Sequence, residues 1–333
     1  MLFRSYLSAV KAREGIPEAR EIVESRESKY LSPAIRLLGR AGGAPETDLL
    51  LGLYESEESS DSLRQDVILA LGEIGAQAAV ESLMKTLDDT AGKKGTRMFA
   101  AEALGKIKDA RAVPSLVRAA NGEDPQVRGA AMTALGNFPG SEADAAIVQG
   151  LRDSVPAVRL AAVKASASRS IREAEPFIRF RARNDPDRKV KDEAIKALAG
   201  MGGRENLEFL RELLQDKKVD VPSRAGAFSA LLERDADGSR ADLEKALAAE
   251  AASKDPSLLK AFQRALVQGT DKAAAPLVQT YLLNSPDFGT RIAGIDWVRR
   301  NKVQSLRSAI ATMAESDKVE SVRTRAAAAL AEL

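Results

Sequence analysis

A motif with one apolar helical face recurs about every 32 residues along this 333-residue chain. The copy at residues 95–107 reads GTRMFAAEALGKI. Every copy carries a basic residue at the same position, here called the anchor; the anchors are Arg64, Arg97, Arg128, Arg159, Lys191, Arg224, Lys260, Arg291 and Arg323. Successive anchors lie 31 to 36 residues apart. A repeat of this length is typical of stacked helical hairpins, in which each unit buries its apolar face against its neighbours.

Each repeat predicts two helices. In one motif, Val127, Ala131 and Leu135 lie four residues apart, which places them on one side of a helix. A second amphipathic stretch precedes each motif. Between the two, an acid is often followed by a proline, as in Asp124 and Pro125, which suits a helix cap and a first helical turn. The sequence therefore predicts alternating motif helices and companion helices.

The recurring anchors admit two interpretations. Nine cations in register could form a ladder for phosphates, or each could pair with carboxylates that cap helices of adjoining repeats. Acids lie four to eight positions before many anchors, for example Asp124 before Arg128 and Asp153 before Arg159. We therefore favour the second interpretation, in which the anchors hold successive repeats together.

The motif also carries a family resemblance. The run Asp…Val-Arg-x-x-Ala-Ala-x-Ala-Leu-Gly-x-Ile, with Ala-Val-Pro-x-Leu complete at residues 112–116, resembles HEAT repeats. It is most similar to the bacterial subgroup called phycobilisome-lyase-type HEAT-like repeats. The resemblance covers residues 31–333 and is sharpest between Leu63 and Arg159. It implies that the motif helices line the concave face of a superhelix. The family contains scaffolds, adaptors and a few enzymes, so the resemblance implies an architecture and no particular activity.

We accordingly predict an all-α fold, a right-handed α-solenoid (superhelix) of about ten HEAT-like helical hairpins. Residues 1–333 form a single repeat array in this interpretation, with capping helices in 1–28, repeats in 29–318 and a last helix in 319–333. The apolar stripe of residues 2–10 suits a capping helix and is too short for a secretory signal. No run approaches the ~20 apolar residues of a membrane span. A soluble, cytoplasmic protein is therefore expected.

The chain contains neither cysteine nor histidine. This composition excludes thiol nucleophiles, disulfides, Cys/His zinc sites and histidine-based general catalysis. The glycine-rich run at residues 200–203 closes a helix and lacks the strand that a phosphate-binding loop needs. We therefore predict that the protein has no catalytic residue, metal or cofactor and is not an enzyme.

Candidate partner-binding residues are sought where the copies differ. Met98 and Phe99 are large and apolar where other copies have small or charged residues. They could anchor a partner helix or peptide, or they could fill space between helices. The fifth position after the anchor should face the groove of the array, and it contributes Glu102, Lys164 and Lys196.

A basic stretch lies at the centre of the chain. In it, Phe177 and Phe180 are predicted to be buried, while Arg179 and Arg183, four residues apart, are predicted to share an exposed face. Together with Arg188 this face could dock an acidic protein surface, an anionic lipid or a phosphate backbone, or it could simply be solvated.

The single tryptophan, Trp297, occupies the motif position that is alanine at residues 103 and 134. A side chain of this size must fill a wider gap between helices or displace one of them. We predict that Trp297 belongs to the core and is not an exposed binding aromatic.

Three functions are compatible with these features. A non-catalytic protein–protein interaction scaffold or adaptor fits best, and an acidic surface is one candidate for its protein partner. Nucleic-acid binding through the central arginines is the alternative, but a formal net charge of +2 and 4% aromatic residues argue against it. A phycobilin-lyase-like subunit that handles a chromophore is the third, on the resemblance alone.

Overall fold

A computed structural model describes residues 14–26, 29–56 and 60–333, and within these ranges the regular structure is helical, without strands. The helices are α1 (Ile16–Ser25), α2 (Leu31–Ala41), α3 (Ala44–Glu55), α4 (Asp61–Ile74), α5 (Val80–Asp88), α6 (Lys94–Ile107), α7 (Val113–Ala120), α8 (Pro125–Leu135), α9 (Ser141–Gly150), α10 (Pro156–Arg169), α11 (Glu175–Asn184), α12 (Arg188–Met201), α13 (Arg204–Gln215), α14 (Val221–Asp235), α15 (Arg240–Ala251), α16 (Ser257–Gln268), α17 (Ala275–Val278), α18 (Phe288–Asn301), α19 (Arg307–Ser316) and α20 (Glu320–Glu332). Even-numbered helices carry the motif, and odd-numbered helices from α3 onward are their companions. The predicted alternation is confirmed; the predicted capping stripe at residues 2–10 lies outside the described residues.

The helices group into two compact units, Met1–Phe177 and Ile178–Leu333. In the first unit each motif helix contacts the next, from α2 through α4, α6 and α8 to α10. In the second unit the same order runs from α12 through α14, α16 and α18 to α20. Stacking of successive helical hairpins makes the fold an α-solenoid. That all 333 residues form one array stays a prediction.

Glycine near the end of a motif lets successive motif helices approach closely. A Cβ added to Gly105 would lie 2.9 Å from the Cα of Ala134 and 2.8 Å from its Cβ. The same addition at Gly72 would lie 2.9 Å from the Cα of Ala103. Because even one methyl group would collide with backbone, the spacing of the motif helices depends on glycine facing alanine.

Some of the turns between helices cap the following motif helix as predicted, as at α8 and α12. The carboxylate of Asp124 accepts hydrogen bonds from the amides of Gln126 at 2.8 Å and Val127 at 3.3 Å, and Pro125 occupies the first turn of α8. Asp187 caps α12 in the same way. These carboxylates satisfy amides that the helix itself leaves without partners.

The core of the second unit contains larger side chains than the alanine-rich first unit. The rings of Phe228 and Phe262 stack with their centroids 4.3 Å apart. Trp297 is fully buried, and its indole Nε1 donates a hydrogen bond of 2.6 Å to the carbonyl of Gly269. The prediction that Trp297 belongs to the core is confirmed.

The prediction for the basic stretch is wrong in its helical phase. Helix α11 buries Ile178 and Ala182, which lie four residues apart, so Phe180 lies on the opposite side and is 55% exposed. Phe177 is half-buried, with the guanidinium of Arg152 4.5 Å from its ring centroid. The phase of this helix follows from Ile178 and Ala182, because Phe180 lies about half a turn from both of them and cannot be buried on the same side.

Candidate binding surfaces

The anchor Arg128 joins two successive repeats. Its Nε and Nη2 donate to the carboxylate of Asp153 at 2.7 and 3.1 Å. Its Nη1 donates to the carbonyls of Gly122 and Glu123 at 3.1 and 2.7 Å. These carbonyls belong to the turn before α8, while Asp153 belongs to the turn before α10. One side chain therefore ties two adjacent turns together.

Two further anchors repeat this arrangement. The guanidinium of Arg291 meets the carboxylate of Asp317 with two contacts of 2.9 Å, and Arg224 meets Glu250 at 3.0 Å. Each acid follows its anchor by 26 residues, so it belongs to the next repeat. The interpretation of these anchors as links between repeats is confirmed, and their positive charge is neutralised within the chain.

The carboxyl group of Asp153, which pairs with Arg128, is kept in its ionised form. Partial burial alone would raise the pKa of Asp153, but hydrogen bonds from Arg128 and from the Val155 amide outweigh burial and lower that pKa. The pKa of Asp317 is lowered in the same way, by Arg291 and the Val319 amide. Carboxylates kept in the charged form make the links effective down to acidic pH.

A groove of about 580 Å³ runs between α6, α8 and α10 in the first unit. Its floor consists mainly of small side chains, and its rim is polar; its central residues are Met98, Glu102, Gly129, Ala130, Thr133 and Ala161. We call it the Met98 groove. It brings together two of the predicted site residues, since half-buried Met98 contributes to its wall and exposed Glu102 to its rim. The carboxylate of Glu102 pairs with Lys106 at 2.9 Å.

Two other predicted site residues do not line this groove. Phe99 is half-buried, and Lys164 is exposed on α10. The space-filling interpretation considered for Phe99 fits its partial burial. A binding role for either residue stays a prediction.

A second groove, of about 670 Å³, lies between α12 and α14 in the second unit. We call it the Arg188 groove; its central residues are Arg188, Asp192, Ile195, Lys196, Ser229 and Glu233. The guanidinium of Arg188 pairs with Asp192 at 2.8 Å and with Asp220 at 3.1 Å, whereas Lys196 is exposed at the groove. Charges of both signs therefore line this groove, which suits a polar protein surface.

Arg179 and Arg183 lie on the companion helix α11 and not on the motif-helix face. Arg179 donates to the amide oxygen of Asn206 at 2.8 Å and to Glu205 at 3.2 Å. Arg183 lies 3.9 Å from the carboxylate of Glu212 and 5.3 Å from the ring centroid of Phe209. Both side chains are therefore only partly exposed and lie beside acids of α13, and a binding role for Arg179 and Arg183 stays a prediction.

The comparison with protein families identifies this fold more closely. A family model described as spirochaete HEAT repeat protein matches residues 2–329. The chain belongs to this HEAT repeat family. The motif helices and their links are therefore the repeats of a HEAT protein, and the family resemblance inferred from the motif is confirmed.

Three structures of low sequence identity are similar to this chain, and one of them has a TM-score above 0.5. A homology model of the full-length AP-3 complex matches with a TM-score of 0.57 and 15% identity, covering 84% of this chain and 55% of that one. The complex of CpcE and CpcF of phycocyanin lyase from Nostoc matches with a TM-score of 0.43 and 20% identity, covering 85% and 94%. YibA of Escherichia coli matches with a TM-score of 0.48 and 19% identity, covering 77% and 97%. At these identities the likenesses concern the fold alone. No curated protein matches the chain.

Across residues 14–26, 29–56 and 60–333, no group of three or more acidic side chains is arranged to hold a metal ion. No helix in that part of the chain combines the length and apolar character that a membrane span requires.

The sequence analysis missed the floor of the Met98 groove. Ala130, Ala157 and Ala161 contribute to it together with Gly129. All four are small, but they lie at positions that vary between copies of the motif, so periodicity did not mark them. The available signal was Gly129, a glycine inside a helix where other motifs carry larger side chains.

Proposed function

We propose that this HEAT repeat protein is a non-catalytic scaffold that binds an amphipathic helix of a partner protein in the Met98 groove. The observation that carries the proposal is the groove itself: about 580 Å³, with a floor of small side chains and a polar rim. A groove of this kind suits a helix that lays its apolar side onto the floor. Met98 would contact that apolar side, and Glu102 would contact its polar margin.

Gly129 supports close approach by the partner. A Cβ added to Gly129 would meet nothing within 4 Å, so packing within the chain does not require glycine there. Glycine inside a helix costs about 0.5–1 kcal/mol relative to alanine. A partner backbone that lies directly over α8 would explain why this position has no side chain.

The distribution of charge supports a protein partner over a nucleic acid. The best-placed arginines, among them Arg128, Arg291 and Arg179, contact carboxylates of this chain. Phosphate binding would have to break those pairs. Exposed Lys164 and Lys196 are the candidate contacts for an acidic partner surface in this proposal.

A site-specific photocrosslinker tests the proposal. Benzoylphenylalanine at Thr133, on the groove rim, should capture one protein from native extract, and the same group at exposed Ala145 on α9 should not. Purified with this chain, that protein should lose affinity at least tenfold in Ala130→Glu, because the substitution buries an unpaired charge in the interface, at a cost of roughly 2 kcal/mol or more.

The matched control is Ala145→Glu, which places the same charge on the companion helix and should leave the affinity unchanged. Equal affinities for the wild type and for Ala130→Glu would contradict a groove-binding scaffold. So would turnover of a metabolite by the purified chain without any captured partner.

A further inference from the structure

A cavity of about 300 Å³ lies at the turn that precedes α6, in the first unit. It is separate from the Met98 groove and shares no lining residue with it. Its polar lining residues include two anchors, a lysine, a threonine and two acids: Arg64, Arg97, Lys93, Thr96, Asp61 and Asp89. Two consecutive repeats therefore direct their anchors into one cavity.

Neither anchor has the carboxylate partner that the repeat normally provides. Arg128 pairs with Asp153, 25 residues later. The same spacing from Arg64 leads to Asp89, yet within the described residues Arg64 and Asp89 form no ion pair, and the same spacing from Arg97 leads to Gly122. Both anchors keep a backbone contact: Arg64 Nη2 donates to the carbonyl of Ser56 at 3.2 Å, and Arg97 Nε to that of Leu87 at 3.0 Å. Within residues 14–26, 29–56 and 60–333, neither guanidinium therefore forms an ion pair with a carboxylate.

Two residues that line this cavity also carry buried donors without partners. Thr96 is only 9% exposed, and its hydroxyl has no hydrogen-bond partner among the described residues. The Nε of Arg64 is likewise buried and unpaired within that part of the chain. Leaving such groups unsatisfied lowers the stability of the fold, and a ligand with acceptor oxygens would recover that loss.

The start of α6 adds to the positive character of the cavity. Lys93 occupies the N-cap position, where Asp124 caps α8, and its side chain makes no cap hydrogen bond. Amides of a first helical turn together with the helix dipole favour an anion. Lys93 pairs with Asp61, so Asp89 is the remaining acid against the two guanidiniums.

We propose that this cavity binds a small tetrahedral oxyanion of the phosphate class, held by Arg64, Arg97 and Thr96. Two guanidiniums, a hydroxyl and a helix start offer more donors than the two oxygens of a carboxylate can accept, whereas a phosphate offers four oxygens. The cavity volume leaves room for the ion and bridging water. The anion would replace, in this repeat, the carboxylate link that other repeats carry.

Titration of the full chain with sodium phosphate, at ionic strength matched with sodium chloride, tests the site by calorimetry. The wild type should bind one phosphate per chain. Thr96→Val and Arg64→Gln should each weaken binding about tenfold or more, since each removes a hydrogen bond to a charged ligand. Thr312→Val and Arg204→Gln are matched controls at exposed positions and should change the affinity less than about twofold.

O-phosphoserine is the second probe. If O-phosphoserine binds more tightly than inorganic phosphate, the preferred ligand is a phosphate monoester; if it binds more weakly, the preferred ligand is the free ion. In either case Thr96→Val should lose about tenfold or more in affinity. The proposal is overturned if neither probe gives a heat of binding. It is also overturned if the wild type and Thr96→Val bind the probes with equal affinity. Neither result bears on the Met98 groove, whose test uses other residues.

Thermal unfolding without phosphate provides an independent test. Asp153→Asn should lower Tm by several degrees because it breaks the link to Arg128, whereas Asp89→Asn should lower it much less. Equal losses would mean that Asp89 closes onto Arg64 in solution and fills the cavity with an internal ion pair. That outcome overturns the proposal.

Discussion

The anchor arginine links two repeats through different nitrogen atoms of one guanidinium group. In Arg128 the Nη1 atom fixes the carbonyls of its own turn, while Nε and Nη2 reach the acid of the next repeat. Only 13% of the Arg128 side chain and 12% of the Asp153 side chain are exposed, so water screens their attraction little. The pair is therefore a structural link that repeats along the chain.

Replacing Arg128 with alanine should destabilise the fold and leave partner binding intact. The change leaves the Asp153 carboxylate partly buried without its cation, which costs about 2–4 kcal/mol. The midpoint of urea unfolding should fall accordingly. Arg204→Ala is the control, because Arg204 is 89% exposed and pairs only with Glu208 on its own helix; its midpoint should not move. Loss of affinity at unchanged stability would show that Arg128 belongs to a binding surface.

Acid should weaken the contact between Lys191 and Asp220. Partial burial alone would raise the pKa of Asp220, but hydrogen bonds from Lys191 and Ser223 lower it to about 2. An unfolded aspartate titrates near pH ~3.9. Because the folded pKa is the lower one, the stabilisation is present above about pH 4 and is lost as pH falls towards 2. The gap in stability between the wild type and Asp220→Asn should therefore shrink over that interval in pH-dependent unfolding; a constant gap would contradict the link.

Sequence alone predicted that the anchors pair with acids but not which acid each would choose. Arg159 has Asp153 six residues before it, yet Asp153 binds Arg128 from the preceding repeat. Arg159 donates to the carbonyls of Asp153 and Ser154 at 2.9 Å. In a periodic chain Asp153 lies at a regular spacing from Arg128 and from Arg159, so spacing alone cannot tell which of the two anchors its carboxylate binds. Only the stacking of hairpins decides the pairing.

At the scale of a helix, the sequence predicts which side is buried when the helix has one dominant apolar stripe. The prediction failed for a helix in which two apolar stripes compete. Helix α11 has apolar side chains at Phe177, Ile178, Phe180 and Ala182, which do not share one face. Contacts with neighbouring helices favour Ile178 and Ala182, and Phe180 is left in solvent beside the guanidinium of Arg181, 5.3 Å from its ring centroid. The sequence of the helix alone could not exclude the alternative in which Phe177 and Phe180 are buried.

Two glycines inside motif helices should respond oppositely to alanine. At Gly105 the new methyl group would collide with Ala134 and force α6 and α8 apart, which costs about 1–3 kcal/mol. At Gly129 the methyl group meets nothing within 4 Å, so Gly129→Ala should stabilise by about 0.5–1 kcal/mol through helix propensity. Denaturant unfolding compares the two. If Gly129→Ala also destabilises, the groove floor is not free space.

At the scale of the whole molecule, periodicity predicted the hairpins and their order but not the grooves. Each groove wall comes from motif helices about 32 residues apart in sequence, as Met98 and Thr133 show. Whether neighbouring small residues leave an open floor depends on how closely the helices stack. The sequence equally failed to show that Arg64 and Arg97 have no ion pair within the part of the chain that the structure describes, because both match the motif as well as the other anchors do.

Because each hairpin contacts mainly its sequence neighbours, damage to one repeat should stay local. Leu104 is fully buried in α6, which contacts α4 and α8. Leu104→Ala should cost about 2–5 kcal/mol and reduce amide hydrogen-exchange protection in α4, α6 and α8, with α18 and α20 unchanged. Ile295→Ala, at an equally buried site in α18, is the mirror control and should affect α16, α18 and α20. A uniform loss of protection along the chain in either variant would mean that the 333 residues unfold as one cooperative body, and in that case stability could not be assigned to single repeats.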